Sequence, residues 1–186
     1  LLKLDMAEAL GAFLGDQLSS FPSQSNVPQK IENAKAEKDR GNDLFAKGEY
    51  KDALAAYHYA KLHVKGLMNL KQEEQDAIKA VELSCNLNMA MVYIKFGWWQ
   101  KAITASTQVL EQDSNNVKAL FRRAKAHLEL NSTEKARADL VTAIKLAPND
   151  KGLRDEYARL QAKEATLAQQ AKAAFKNIFD HDLSEE

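Results

Sequence analysis

Cysteine, proline and glycine are all scarce in this sequence, and each scarcity excludes a class of protein. The single cysteine, Cys85, cannot form an internal disulfide, so a disulfide-stabilised fold is excluded and a reducing compartment is indicated. With three prolines and seven glycines, the chain has few helix breakers, which favours long helices over short strands and turns. No apolar run approaches the length of a membrane span. We therefore expect a helical cytoplasmic protein.

An excess of either charge is also missing. The 26 basic and 26 acidic residues cancel, and this balance argues against a general binder of nucleic acid or of anionic membranes. Cys85 has no evident histidine and aspartate partners for nucleophilic catalysis, and no glycine-rich phosphate loop is present. The histidines show no metal-ligand spacing; they are His58, His63, His127 and His181. We expect no catalytic activity, no metal and no cofactor.

The N-terminal region, residues 1–33, differs from the rest of the chain. Residues 1–18 place their apolar side chains on one helical face, and residues 19–29 are rich in Ser, Gln and Pro, as in a linker. The apolar face consists of Met6, Leu10, Phe13, Leu14 and Leu18. The first residue is Leu and no signal peptide is evident, which is consistent with a piece of a longer protein. We predict an amphipathic segment followed by a linker.

An internal repeat organises the remainder. When Leu83 is aligned with Val117, an offset of 34 residues (117 − 83), small residues recur in three slots. These slots hold Gly41, Ala53 and Ala60 in the first copy, Ala90 and Ala102 in the second, and Ala124, Ala136 and Ala143 in the third. A period of 34 residues with this pattern is typical of the tetratricopeptide repeat (TPR), in which small side chains let two antiparallel helices approach closely.

The repeat predicts the domain organisation. We expect an all-α fold of three helix-turn-helix repeats, stacked as a right-handed superhelix with a long C-terminal capping helix. The predicted parts are the repeats 34–67, 83–116 and 117–150, an insert 68–82, the C-terminal helix 151–180 and a tail 181–186. The insert contains no Pro or Gly, so we expect it to lengthen both flanking helices around a short exposed turn.

Five polar residues stand out, and each lies on the first helix of one of the three predicted repeats. They are Lys38, Asn42, Asn88, Lys118 and Arg122. Asparagine is a poor helix former, and local exceptions of this kind tend to mark functional sites. Cationic side chains neutralise carboxylates, and amides donate further directed hydrogen bonds, so this set predicts carboxylate binding. We expect the two cations of the third repeat to lie on exposed helix surface.

The same five residues resemble the dicarboxylate clamp of co-chaperone TPR domains. The wider pattern is similar to the TPR region of FKBP-type immunophilins, and small stand-alone TPR proteins share much of it. The matching segments are residues 38–45, 84–90, 116–123, 136–140 and 175–180. The resemblance implies a monomeric adaptor that binds the Glu-Glu-Val-Asp tail of seventy- or ninety-kilodalton heat-shock chaperones. The isomerase domain of an immunophilin has about a hundred residues, a typical domain size, and does not fit within residues 1–33.

A second function remains open from the sequence alone. The groove of a TPR superhelix can also bind an internal segment of a client protein, without any free carboxylate. The apolar face of residues 1–18 motivates this alternative, because that segment could occupy the groove. The C-terminal helix similarly could serve as a recognition element, although a cap for the last repeat is the favoured interpretation.

Overall fold

A computed structural model of the chain describes residues 26–182. Within this range the chain forms seven helices and no strand, which confirms the predicted all-α fold. The helices are α1 (Val27–Ala46), α2 (Tyr50–Val64), α3 (Gln72–Lys95), α4 (Trp99–Gln112), α5 (Val117–Glu129), α6 (Thr133–Leu146) and α7 (Lys151–Asp182). The predicted amphipathic segment of residues 1–18 lies outside the described residues, and the repeat boundaries stay predictions.

Three helical hairpins, α1–α2, α3–α4 and α5–α6, are closed by similar turns. Gly48 and Gly97 have φ values of 83° and 70°, in the left-handed region where a side chain is unfavourable. The third hairpin has Asn131 in the same slot, with φ of 59°. Asparagine tolerates this conformation better than most residues, so it replaces glycine there.

Small residues lie where the helices cross. The alanines of the recurring slots are fully buried, and the first helix of each hairpin also packs against the first helix of the next. The buried alanines are Ala53, Ala60, Ala90, Ala102, Ala124, Ala136 and Ala143. Helices α1, α3 and α5 therefore form one continuous surface, as expected for the inner face of a TPR stack.

The structure of the insert, residues 68–82, differs from the prediction. It lengthens only the helix that follows it, because α2 ends at Val64 and α3 already begins at Gln72. Gly66 and Asn69, with φ of 73° and 54°, interrupt the chain between these helices. The expectation that both flanking helices would lengthen was therefore wrong for α2.

Helix α7 covers the open end of the last hairpin. Leu153 and Leu160 are buried against the core of α5 and α6. The Lys163 ammonium donates a hydrogen bond at 2.6 Å to the carbonyl oxygen of Leu128. From Ala165 to Ala174 the helix is exposed. The first half of α7 thus caps the stack and the following turns extend beyond it. No helix in the described range is both long enough and apolar enough to cross a membrane.

Candidate functional site

Three of the five predicted residues come together in one pocket on the inner face. Asn42 of α1, Asn88 of α3 and Arg122 of α5 line it, although they are far apart in sequence. The side-by-side packing of the three helices brings them together. The remaining lining residues are Phe45, Tyr57 and Met91.

The two asparagines are joined directly. The Asn88 amide nitrogen Nδ2 donates a hydrogen bond to the Asn42 oxygen Oδ1 at 2.7 Å. The Tyr57 hydroxyl donates to the same oxygen at 3.0 Å. Because Tyr57 is 1% exposed, burial raises the pKa of its hydroxyl, and the nearby Asn88 amide partly opposes this. The phenol is therefore neutral near pH 7 and able to donate.

Arg122 supplies the positive charge of the pocket. Its Nη1 donates to the carbonyl oxygen of Leu87 at 2.6 Å, and it forms no ion pair with the side chains described for residues 26–174. Burial lowers the pKa of the guanidinium, which nevertheless stays charged at neutral pH. The expectation of an exposed Arg122 was wrong, since this side chain is half-buried. The pocket consequently contains a partly desolvated cation that no described carboxylate neutralises.

The two predicted lysines do not line this pocket. Lys38 is one turn before Asn42 on α1, and Lys118 is one turn before Arg122 on α5. The Lys38 ammonium is 3.0 Å from a carboxylate oxygen of Asp39, and its side chain is 24% exposed. Lys118 is exposed, as expected. Their role as ligands stays a prediction.

Sequence reasoning missed the three other lining residues. Phe45 and Met91 each follow a site asparagine by three positions, so helical spacing could have placed them on the same face. Tyr57 occupies a packing slot that holds Leu140 in the third repeat, so its repeat position alone indicates a core residue. Its hydroxyl was the available signal, because a buried tyrosine usually has a hydrogen-bond partner.

The cysteine does not contribute a nucleophile. Cys85 is fully buried, and burial raises the pKa of its thiol to about 11. The thiolate is the reactive form, so the thiol is unreactive near neutral pH. Among the described residues no group of His, Cys, Asp and Glu side chains is arranged to hold a metal ion.

Comparison with known proteins agrees with this architecture. The tetratricopeptide repeat family model matches residues 117–150, the range predicted for the third repeat. The C-terminal TPR-containing domain of an FK506-binding protein from Plasmodium falciparum has a TM-score of 0.73 and 32% identity, covering 77% of this chain and 96% of that one. The chain belongs to the tetratricopeptide-repeat family. TPR stacks present extended binding surfaces for other proteins, so this chain is a protein-interaction domain.

The relatives also confirm the resemblance to immunophilins. Human peptidyl-prolyl cis-trans isomerase FKBP4 is 34% identical over 163 residues, which are 88% of this chain and 36% of that protein. Arabidopsis thaliana FKBP42 is 36% identical over 159 residues, 84% of this chain and 44% of that protein. The chain thus spans less than half of either relative. The second TPR domain of human RPAP3, solved in complex with the HSP70 peptide SGPTIEEVD, has 26% identity and a TM-score of 0.59, covering 71% of this chain and 98% of that one.

Proposed function

We propose that this TPR domain is a co-chaperone adaptor that binds the C-terminal Glu-Glu-Val-Asp tail of heat-shock chaperones. The binding residues are Lys38, Asn42, Asn88, Lys118 and Arg122. One observation carries the proposal: Arg122 is a partly buried cation without a described acidic partner, and it lines a pocket with two asparagine amides. Burying a charge is costly unless a counter-charge is supplied, and an anionic ligand supplies it.

A peptide that ends in Asp suits these groups because it presents two carboxylates close together. The guanidinium and the two lysines neutralise them, while the amide nitrogens donate directed hydrogen bonds. A hydrogen bond to a charged group contributes roughly 1.5–3 kcal/mol. Several of them, less the cost of ordering the peptide, support binding near micromolar affinity, about −8 kcal/mol.

The RPAP3 relative supports the ligand class. The peptide in that complex, SGPTIEEVD, ends in the four residues proposed here as the ligand. The seventy- and ninety-kilodalton chaperones are both candidate partners. The adaptor is proposed to act as a monomer in the cytoplasm, and light scattering on the purified chain tests the oligomeric state.

Calorimetry with two forms of one peptide tests the function. We expect Met-Glu-Glu-Val-Asp with a free C-terminus to bind with micromolar affinity. The C-terminally amidated form lacks one carboxylate and should bind at least about tenfold more weakly, because it loses charge-assisted hydrogen bonds. Absence of binding, or equal affinity for both forms, would contradict the proposal.

Binding of an internal client segment is the competing function. Phe45 and Met91 give the pocket an apolar part that such a segment could contact. In that case a variant carrying Lys118→Ala and Arg122→Ala would recover its client in pull-downs as well as the wild type does. A lower recovery of the client by this double variant than by the wild type favours the carboxylate site instead.

A further inference from the structure

Tyr57 belongs to α2, yet its hydroxyl reaches the pocket on the inner face. Among the described residues it is the largest fully buried side chain, with 1% of its surface exposed. A buried phenol normally requires a hydrogen-bond partner, and the Tyr57 hydroxyl finds it in Asn42 Oδ1 at 3.0 Å. The core of the first hairpin is thus connected directly to a site residue.

Gly41 explains why the ring sits where it does. A Cβ atom at this position would lie 2.6 Å from Tyr57 Cε1 and 2.7 Å from Cδ1, closer than real contacts allow. The ring therefore occupies the space that a side chain at position 41 would need. Since Gly41 immediately precedes Asn42 in α1, the packing of the ring places the hydroxyl beside the Asn42 amide without help from a ligand.

The consequence for Asn42 follows from counting its hydrogen bonds. A carbonyl oxygen has two lone pairs, and those of Asn42 Oδ1 accept from Tyr57 and from Asn88. Its amide nitrogen has no partner among the side chains described for residues 26–174 and the side chain is exposed, so a donor is left for a ligand. An amide that is already oriented loses less entropy on binding than a freely rotating one.

We propose, on the basis of the function proposed above, that Tyr57 is a positioning residue of the carboxylate site. It acts through Asn42: its hydroxyl and Asn88 together hold the amide oxygen away from the ligand, so that the nitrogen faces the carboxylate. Without the hydroxyl, one hydrogen bond holds the amide, which can then turn its oxygen toward the negative ligand.

Tyr57→Phe tests this with the ring retained. We expect the affinity for the free-acid Met-Glu-Glu-Val-Asp peptide to fall about threefold to tenfold, as for the loss of a neutral hydrogen bond. Tyr93→Phe is the matched control: Tyr93 is also buried, but its hydroxyl faces His58, 3.4 Å away, outside the pocket. It should leave the affinity unchanged. In an Asn42→Ala background Tyr57→Phe should have no further effect, whereas an undiminished effect there would overturn the proposal.

Nuclear magnetic resonance provides a readout without ligand. The side-chain amide signals of Asn42 should shift in Tyr57→Phe and stay in place in Tyr93→Phe, after circular dichroism has verified that both variants are folded. A protein that does not bind the peptide, while its Asn42 signals shift in Tyr57→Phe and stay in place in Tyr93→Phe, refutes the proposed function alone. If the wild type binds the peptide normally, and Tyr57→Phe changes neither the Asn42 signals nor the affinity, only the proposed role of Tyr57 is refuted.

Discussion

Arg122 and Arg123 are adjacent on α5 but lie in two different environments. Arg123 donates from Nε and Nη2 to both carboxylate oxygens of Asp139 on α6, at 2.8 and 2.7 Å, and from Nη1 to Thr107 at 3.3 Å. Asp139 is 6% exposed and the Arg123 side chain is 24% exposed, so the carboxylate of this ion pair is buried and the guanidinium is half-buried. The hydrogen bonds with Asp139 raise the pKa of Arg123. Arg122 donates to the Leu87 carbonyl, and burial lowers the pKa of its guanidinium.

The two environments separate stability from binding. On the Arg123 face, the protein supplies the counter-charge itself and links α5 to α6 and α4. On the Arg122 face, a charge is partly desolvated without a described counter-charge, a cost that an anionic ligand can offset. The following substitutions test whether the two faces are independent.

Arg123→Ala should have the largest effect. It leaves the buried Asp139 carboxylate without its partner, and breaking a buried ion pair in this way costs about 3 kcal/mol of unfolding free energy. Urea denaturation followed by circular dichroism measures the loss. The affinity of the folded fraction for the tail peptide should not change.

Arg40→Ala is the control for this prediction. Arg40 pairs with Glu37 on the surface of α1, with 54% and 28% of the two side chains exposed. Such a pair contributes about 0.5 kcal/mol or less. Similar losses for Arg40→Ala and Arg123→Ala would show that burial does not distinguish the two pairs.

Arg122→Ala should have the opposite profile. We expect tail binding to weaken by about 1.5–3 kcal/mol, about tenfold to a hundredfold, the range for a hydrogen bond to a charged group. The unfolding free energy should change by less than about 1 kcal/mol, since one hydrogen bond is lost while a desolvated charge is removed. Calorimetry and urea denaturation measure the two quantities. Should this variant unfold while its folded fraction binds normally, Arg122 is structural and the alignment of the third repeat is wrong.

Lys118→Ala should have a smaller effect on binding. Lys118 is exposed, so water and salt screen its charge, and we expect a loss of about 1 kcal/mol or less with unchanged stability. Raising the salt concentration should weaken the wild type more than the Lys118→Ala, Arg122→Ala double variant, because fewer charges remain to be screened. Equal salt dependence of the two proteins in calorimetry would argue against an electrostatic site.

His127 should produce the smallest effect, and only below neutral pH. Burial lowers its pKa, helped by the charges of Arg123 and Lys135, while Asp139 opposes this. The unfolded chain therefore binds a proton more readily than the folded one, and stability is lost as pH falls below the ordinary value of 6.5. His127→Gln should lessen the decline in urea stability between about pH 7 and pH 5.5, a range that includes the ordinary histidine pKa. An unchanged decline would show that His127 does not contribute to it.

Local patterns predicted some features well and others poorly. The small residues at the helix crossings followed from the repeat, because these positions are set by contacts within one hairpin. Asn131 and the end of α2 at Val64 were missed. The backbone is left-handed at Asn131 in the first place and at Gly66 and Asn69 in the second. The prediction for the insert considered only residues 68–82, so it left out Gly66 and treated Asn69 as helical.

By itself the sequence determined the fold class, the family and the five residues proposed for the site. A period of 34 residues and helical spacing encode these directly, since each repeat forms the same hairpin. Only the tertiary structure decided that Arg122 lies in a pocket while Arg123 pairs with Asp139, and that the Tyr57 hydroxyl contacts Asn42. The physical reason is that burial and hydrogen-bond partners depend on neighbouring helices, which are remote in sequence.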